Sequence, residues 1–245
     1  MTGPGGAFTL TSLQVLAGTF VFMWFTQLRW RIINRGYFRS TTWVLWPLMG
    51  ALTLVLPPSL RALGAAATIA FILFLVGVYS QRPLLEWTTG AAASAASIAL
   101  LIYAGSQSCA DCPGILHSLV GAVLLGAATH GMVLGHWYLN QARLPLEPLK
   151  QAVVILAAAL GIALAVGLLT GADLREGVIP SGILAVKAST YWWTWVVLIS
   201  TTAVISWMVW QTIKERATQS ATGLLYIAIV TALGAQFILD LLVAT

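Results

Sequence analysis

The chain has 245 residues, 59% of them hydrophobic and 8% charged, and a net charge of +5. A soluble domain carries roughly 25% charged residues, so the deficit excludes a water-soluble globule, and the lack of polar sequence between apolar runs excludes a second domain or a long linker. The basic residues sit at the ends of apolar runs, where topogenic charge belongs, so nucleic acid is not expected as a partner.

A bilayer span needs about 20 mainly apolar residues. That criterion predicts an all-α, polytopic membrane protein, one domain over residues 1–245, with about eight transmembrane helices at 8–28, 41–58, 61–80, 85–105, 114–139, 148–170, 190–212 and 219–243. The runs are continuous rather than alternating and rich in Ala, Leu and Gly, which favours helices over a β-barrel. The first run lacks a preceding Lys or Arg and continues into an arginine-rich stretch, so it reads as a retained span and not a secretory signal. It ends in Gln27, Arg29, Trp30 and Arg31. The second stops at Pro57-Pro58 and is the least certain to cross. The fourth opens with Glu86 and Trp87, and Glu86 is expected to pair with Arg82 on the preceding turn.

Between spans four and five lie Cys109 and Cys112, in SQSCADCPG. In an oxidising compartment the spacing predicts a local disulfide. A redox-active thiol pair is the alternative, but membrane thiol oxidoreductases usually need a second cysteine pair, and none is present. All three histidines, His117, His130 and His136, fall on the fifth span. Ionisable groups at membrane depth are expensive and mark cavities, partners or cofactors. At about 100° per residue the three rings point roughly 100 to 140° apart, so they cannot form one metal cluster on one helix.

The thirteen residues from His117 to His130 cover about 20 Å of helix, a spacing similar to that of haem ligands on one helix of b-type cytochromes. Those proteins bring a second histidine from a facing helix, and no other span here has one, which excludes a bis-histidine haem within the chain. His130 is the candidate metal ligand, and a haem b with one of these histidines on one side and a methionine such as Met23, Met49, Met132 or Met208, a water or a partner's ligand on the other stays open. So does an interhelical hydrogen bond. Gly121, Ala128, Gly131 and Gly135 form a small-residue stripe with His117, either a packing seam or a wall for a flat ring. At the end of the span His136, Trp137, Tyr138, Asn140 and Arg143 share a level with Gln27 and Arg29. Aromatic planes and hydrogen-bond donors together suit a quinone head or a lipid phosphate; a pocket follows if spans one and five are neighbours.

The seventh span begins with Tyr191, Trp192, Trp193 and Trp195 and carries Trp207 and Trp210 near its other end, which reads as an aromatic belt. On the eighth, Gln236 and Asp240 share a helix face, and Asp240 is expected to reach outside water. With the N-terminus outside, nine Lys and Arg (Arg29, Arg31, Arg35, Arg39, Arg82, Arg143, Lys150, Lys214, Arg216) fall inside against three outside (Arg61, Arg175, Lys187). That bias orients the chain in a cell membrane, read as the bacterial cytoplasmic membrane, with both termini outside.

No phosphate loop, HExxH zinc site, GxSxG elbow or Mg²⁺-binding run of carboxylates is present. The concentration of histidines on one span, the shortage of transport-like charge and the aromatic interfaces point to a subunit or anchor of an electron-transfer complex, with lipid and other membrane subunits as partners and a haem or quinone contacted by His117, His130, His136, Trp137, Tyr138, Gln27 and Arg29. Two alternatives remain: a transporter or channel in which His130 lines a path with Thr129, Ser118 and Thr201, and a non-catalytic scaffold.

Overall fold

The computed structural model describes residues 3–107, 113–141, 144–170, 178–179 and 186–243. Among them are eight helices: α1 (Gly3–Arg29), α2 (Arg35–Val55), α3 (Pro58–Ser80), α4 (Pro83–Ser106), α5 (Pro113–Asn140), α6 (Glu147–Leu169), α7 (Ala188–Lys214) and α8 (Thr218–Val243). A two-residue antiparallel pair, Val178–Ile179 with Val186–Lys187, precedes α7. Proline sits in the first turn of α3, α4 and α6, where its missing N–H costs nothing because the first turn has no acceptor to offer.

Seven of these helices are long and apolar enough to cross a bilayer, and the chain is a multi-pass helical membrane protein. The exception is α2. It begins six residues earlier than the hydrophobic run predicts, so Arg35 and Arg39 lie on the helix, and it carries Pro47 in its interior. It still runs the length of its neighbour, because Val55 at its end and Phe8 at the start of α1 line the same groove. The arginine-rich connection between α1 and α2 shrinks to a tight turn capped by Asn34, whose side chain accepts from the Gly36 N–H at 2.9 Å.

Each helix packs against the next in the chain. In addition α1 packs on α4, α5 and α8, and α5 on α8, which puts α1 and α5 at the centre. The outer helices present Ile69, Val76, Ile162, Val197 and Val230 outward, as surfaces solvated by hydrocarbon do. Ser and Thr hydroxyls along the helices donate to the carbonyl four residues back, as Ser97 does to Ala93 at 2.7 Å, so their polarity is hidden from lipid.

Lipid offers no hydrophobic drive for helices to associate, so close van der Waals approach has to supply it. At the centre, a Cβ on Gly18 of α1 would overlap the Ala122 carbonyl oxygen of α5, and one on Gly126 would overlap the Gly18 backbone. The aromatic-belt expectation for α7 needs correction. Trp192 and Trp195 are fully buried, and the Trp195 ring occupies the space a side chain on Gly167 of α6 would need. Only Trp193 and Trp207 among the α7 tryptophans are largely exposed.

Replacing Gly126 with Ala should lower the stability of the detergent-solubilised protein by about 1–3 kcal/mol through overpacking. Gly161→Ala, at a position where an added Cβ meets nothing within 4 Å, should leave it unchanged. Thermal unfolding of the two variants side by side checks this.

Candidate functional site

Four of the buried polar side chains that reach between helices, Thr11, Gln14, Thr26 and Gln27, lie on α1. All four are buried, and in hydrocarbon a polar side chain needs a partner. Three sites result, two side by side toward the arginine-rich end of the bundle and one at the opposite end.

One turn in from the arginine-rich end, the buried His130 ring of α5 is held from both sides. Thr26 Oγ1 lies 2.8 Å from Nε2 and the Tyr37 hydroxyl of α2 lies 2.9 Å from Nδ1. A neutral imidazole donates from one nitrogen and accepts at the other, so both of its bonding positions are filled by protein. Around it pack Phe22, at 6.5 Å between ring centroids, and Tyr37, whose own ring meets Trp137 edge-on at 5.9 Å.

At the arginine-rich end, Glu86 in the first turn of α4 is buried. It meets Arg35 of α2 at 3.0 Å and accepts from Gln27 Nε2 at 2.9 Å. The expected partner, Arg82, is instead the exposed residue before the helix, in extended backbone at φ −91° and ψ 109°. Glu86 points inward to α1 and α2, and Arg82 does not follow it. Beside this trio opens a cleft of about 600 Å³ lined by Gln27, Trp30, Arg31, Asn34, Arg35, Phe38, Glu86, Trp87 and Gln141. Arg31 lies over the Trp87 ring at 5.6 Å, and Trp30 donates its indole N–H to Gln151 of α6. Gln27 Oε1 is buried and receives no hydrogen bond.

At the opposite end Asp240 of α8 is fully buried and does not reach water as its place in the sequence suggests. Its Oδ2 lies 2.7 Å from Thr11 Oγ1, and Oδ1 accepts from Gln14 at 3.0 Å and from Gln236 at 2.8 Å. The packing of α8 against both α1 and α5 encloses it.

The residues singled out in the sequence therefore disperse. His117 Nε2 lies 3.1 Å from Thr170 Oγ1 and its Nδ1 has no hydrogen-bond partner. His136 is exposed, with Nδ1 at 3.2 Å from the Tyr226 hydroxyl. Trp137 donates to Gln141 at 2.8 Å, and Tyr138 is buried and donates to the Pro145 carbonyl. Arg29 is exposed and covers the Trp30 ring at 4.6 Å. Among the predicted binding residues, only Gln27 lines the cleft, and Arg31, Asn34, Arg35, Glu86 and Gln141 supply its other charged and amide side chains. The histidines stand apart as their helical phases required, and no group of three His, Cys, Asp or Glu among the described residues could hold a metal ion. Nor is His130 open to one, with both nitrogens engaged.

The small-residue stripe of α5 is a packing seam: Gly135 and Gly131 face Leu225 of α8, and Gly121 faces Gln14 and Gln236. Thr201 is exposed and bonded to its own helix, so it lines no path with His130. Cys109, Cys112 and Arg143 lie outside the described residues. No protein-family model matches this sequence, and no curated protein does.

Thr26→Val and Tyr37→Phe should each destabilise the fold by about 1 kcal/mol, the usual worth of an interhelical hydrogen bond in lipid. Thr201→Val should be silent. Unfolding midpoints in one detergent decide the comparison.

Proposed function

We propose that this chain is the membrane subunit of an electron-transfer complex and that the cleft at its arginine-rich end takes the oxygen-bearing ring of a quinone or quinol. The carrying observation is Gln27 Oε1, a buried acceptor without a donor, beside the Glu86 carboxylate in a cleft walled by two indoles. A buried acceptor left open costs roughly 1–3 kcal/mol, which a ring hydroxyl donating to it would recover. Trp30 and Trp87 offer flat faces for the ring.

The bound ring would supply two-electron chemistry coupled to protons. What this chain contributes is positioning and a proton site. Gln27 accepts from the ring hydroxyl, Glu86 can take or return a proton at its carboxylate, and Arg35 steadies that carboxylate when it is charged. Electrons enter or leave through a partner subunit. Haem does not fit at His130, because Thr26 and Tyr37 already hold both ring nitrogens, and no step is assigned to it. The excess of Lys and Arg at the cleft end orients that end toward the cytoplasm of a bacterial cell, with both termini outside.

Titration of the full-length protein in detergent with short-tailed ubiquinone and menaquinone analogues tests this reading. Saturable quenching of tryptophan fluorescence is expected, weakened about tenfold by Gln27→Leu or Glu86→Gln, the loss of one buried hydrogen bond. Quenching that never saturates, or is equal in wild type and both variants, would rule out this cleft. Protection against unfolding by anionic phospholipid but by neither quinone would assign it to a lipid phosphate instead.

A further inference from the structure

The Asp240 cluster lies at the end of the bundle away from the cleft, and nothing in the electron-transfer reading uses it. Its chemistry is unusual for a buried carboxylate. Asp240, Gln14 and Gln236 have no exposed surface and Thr11 very little, yet no Lys, Arg or His among the described residues pairs with the carboxylate; the one ion pair there is Arg35 with Glu86, at the other end. An uncompensated charge in such a place is costly enough that the group takes up a proton or a cation instead.

The hydroxyl of Thr11 can serve the acid in either protonation state. Its oxygen lies 2.7 Å from Asp240 Oδ2 and 2.9 Å from the Ala7 carbonyl oxygen, but a hydroxyl has one proton to donate. If Thr11 donates to Ala7, the short contact to Asp240 is satisfied only when Oδ2 carries a proton and donates to Thr11. If Asp240 is ionised, the Thr11 hydroxyl turns to donate to Oδ2, and the two glutamine amides donate to Oδ1. Both states are fully bonded around the carboxyl group. A second feature belongs to the same place: Gln14 Oε1 and Gln236 Oε1 are buried without donors. The two amides converge where Gly121 of α5 has no side chain, since a Cβ there would stand 2.5 Å from Gln236 Nε2 and 2.7 Å from Gln14 Oε1. Unpaired carbonyl oxygens beside the acid lower the potential and favour a bound positive charge.

We propose that Asp240, with Thr11, Gln14 and Gln236, is a reversible proton-binding site within the membrane domain. On release the Oδ2–H bond breaks, its electron pair stays on the carboxylate, and the proton passes to water beyond that end of the bundle. The titratable groups near that end on the packed elements are His117 of α5 and Tyr191 and Lys187 at the start of α7; α1 has none before Arg29. His117 is bonded to Thr170 of α6, and none of these groups bonds Asp240.

Infrared difference spectra of the full-length protein in lipid, recorded across pH, test the proposal independently of the cleft. A protonated carboxylic acid C=O band should persist at about pH 6, where an aqueous aspartic acid is almost wholly ionised. It should vanish in Asp240→Asn and remain in Glu86→Gln. Gln14→Leu removes a donor that bonds the charged carboxylate more strongly than the neutral acid, so its half-titration should rise by about one pH unit, a tenfold tighter hold on the proton. That shift also decides the matter if Asp240→Asn fails to fold. Absence of any band sensitive to Asp240, an unmoved titration in Gln14→Leu, or displacement of the band by sodium at constant pH would overturn the proposal, the last in favour of a metal-cation site.

Discussion

Two helices that touch backbone to backbone set the terms for the rest of this protein. Where Gly18 meets Gly126 and Ala122, α1 and α5 approach closer than any side chain would allow, and in lipid this contact replaces the hydrophobic drive that water would provide. Its consequence is geometric. With α1 drawn to the centre, Gln14, Thr26 and Gln27 are buried on it and find partners on neighbouring helices. Thr26 finds His130 on α5, Gln27 finds Glu86 on α4, and Gln14 finds Asp240 on α8. One close crossing thus organises hydrogen bonds to three helices.

The two ends of α1 then carry related but unequal arrangements. A glutamine of α1 clasps a buried carboxylate at each end, the two glutamines being thirteen residues or about 20 Å apart along the axis. Glu86 has a guanidinium beside it and an open cleft with aromatic walls, which makes it a charged group positioned for a ligand. Asp240 has hydroxyl and amide neighbours only, which makes it a group whose charge is governed by proton uptake. Next to the Glu86 site His130, saturated by two hydroxyls, ties α1, α2 and α5 together. On the two proposals made above, an oxidisable ligand at one face and a proton-exchanging carboxyl at the other would give the bundle the parts that redox-linked proton chemistry needs.

The buried tryptophans of α7 show why position in a span is a poor guide to environment. Trp192, Trp193 and Trp195 lie within one turn, at the level expected of an interfacial belt. Two of the three turn inward, and Trp195 fits because Gly167 on the facing α6 leaves room for its ring. The same holds for Asp240. Its level is near the end of a helix, yet α1 and α5 close over it.

What the amino-acid order decided by itself was the class and the rough position of each helix, because both follow from a sum along the chain: about twenty apolar residues in succession span hydrocarbon wherever their neighbours lie. The divergence of the three histidines followed as well, since helical phase is local. Partners were another matter. That Glu86 would meet Arg35, 51 positions away, and leave Arg82 to solvent, or that Thr11 would meet Asp240, 229 positions away, depends on which helices adjoin and on their rotation about their own axes. Those are properties of pairs of helices, set by small residues meeting across an interface, and only the folded bundle contains them.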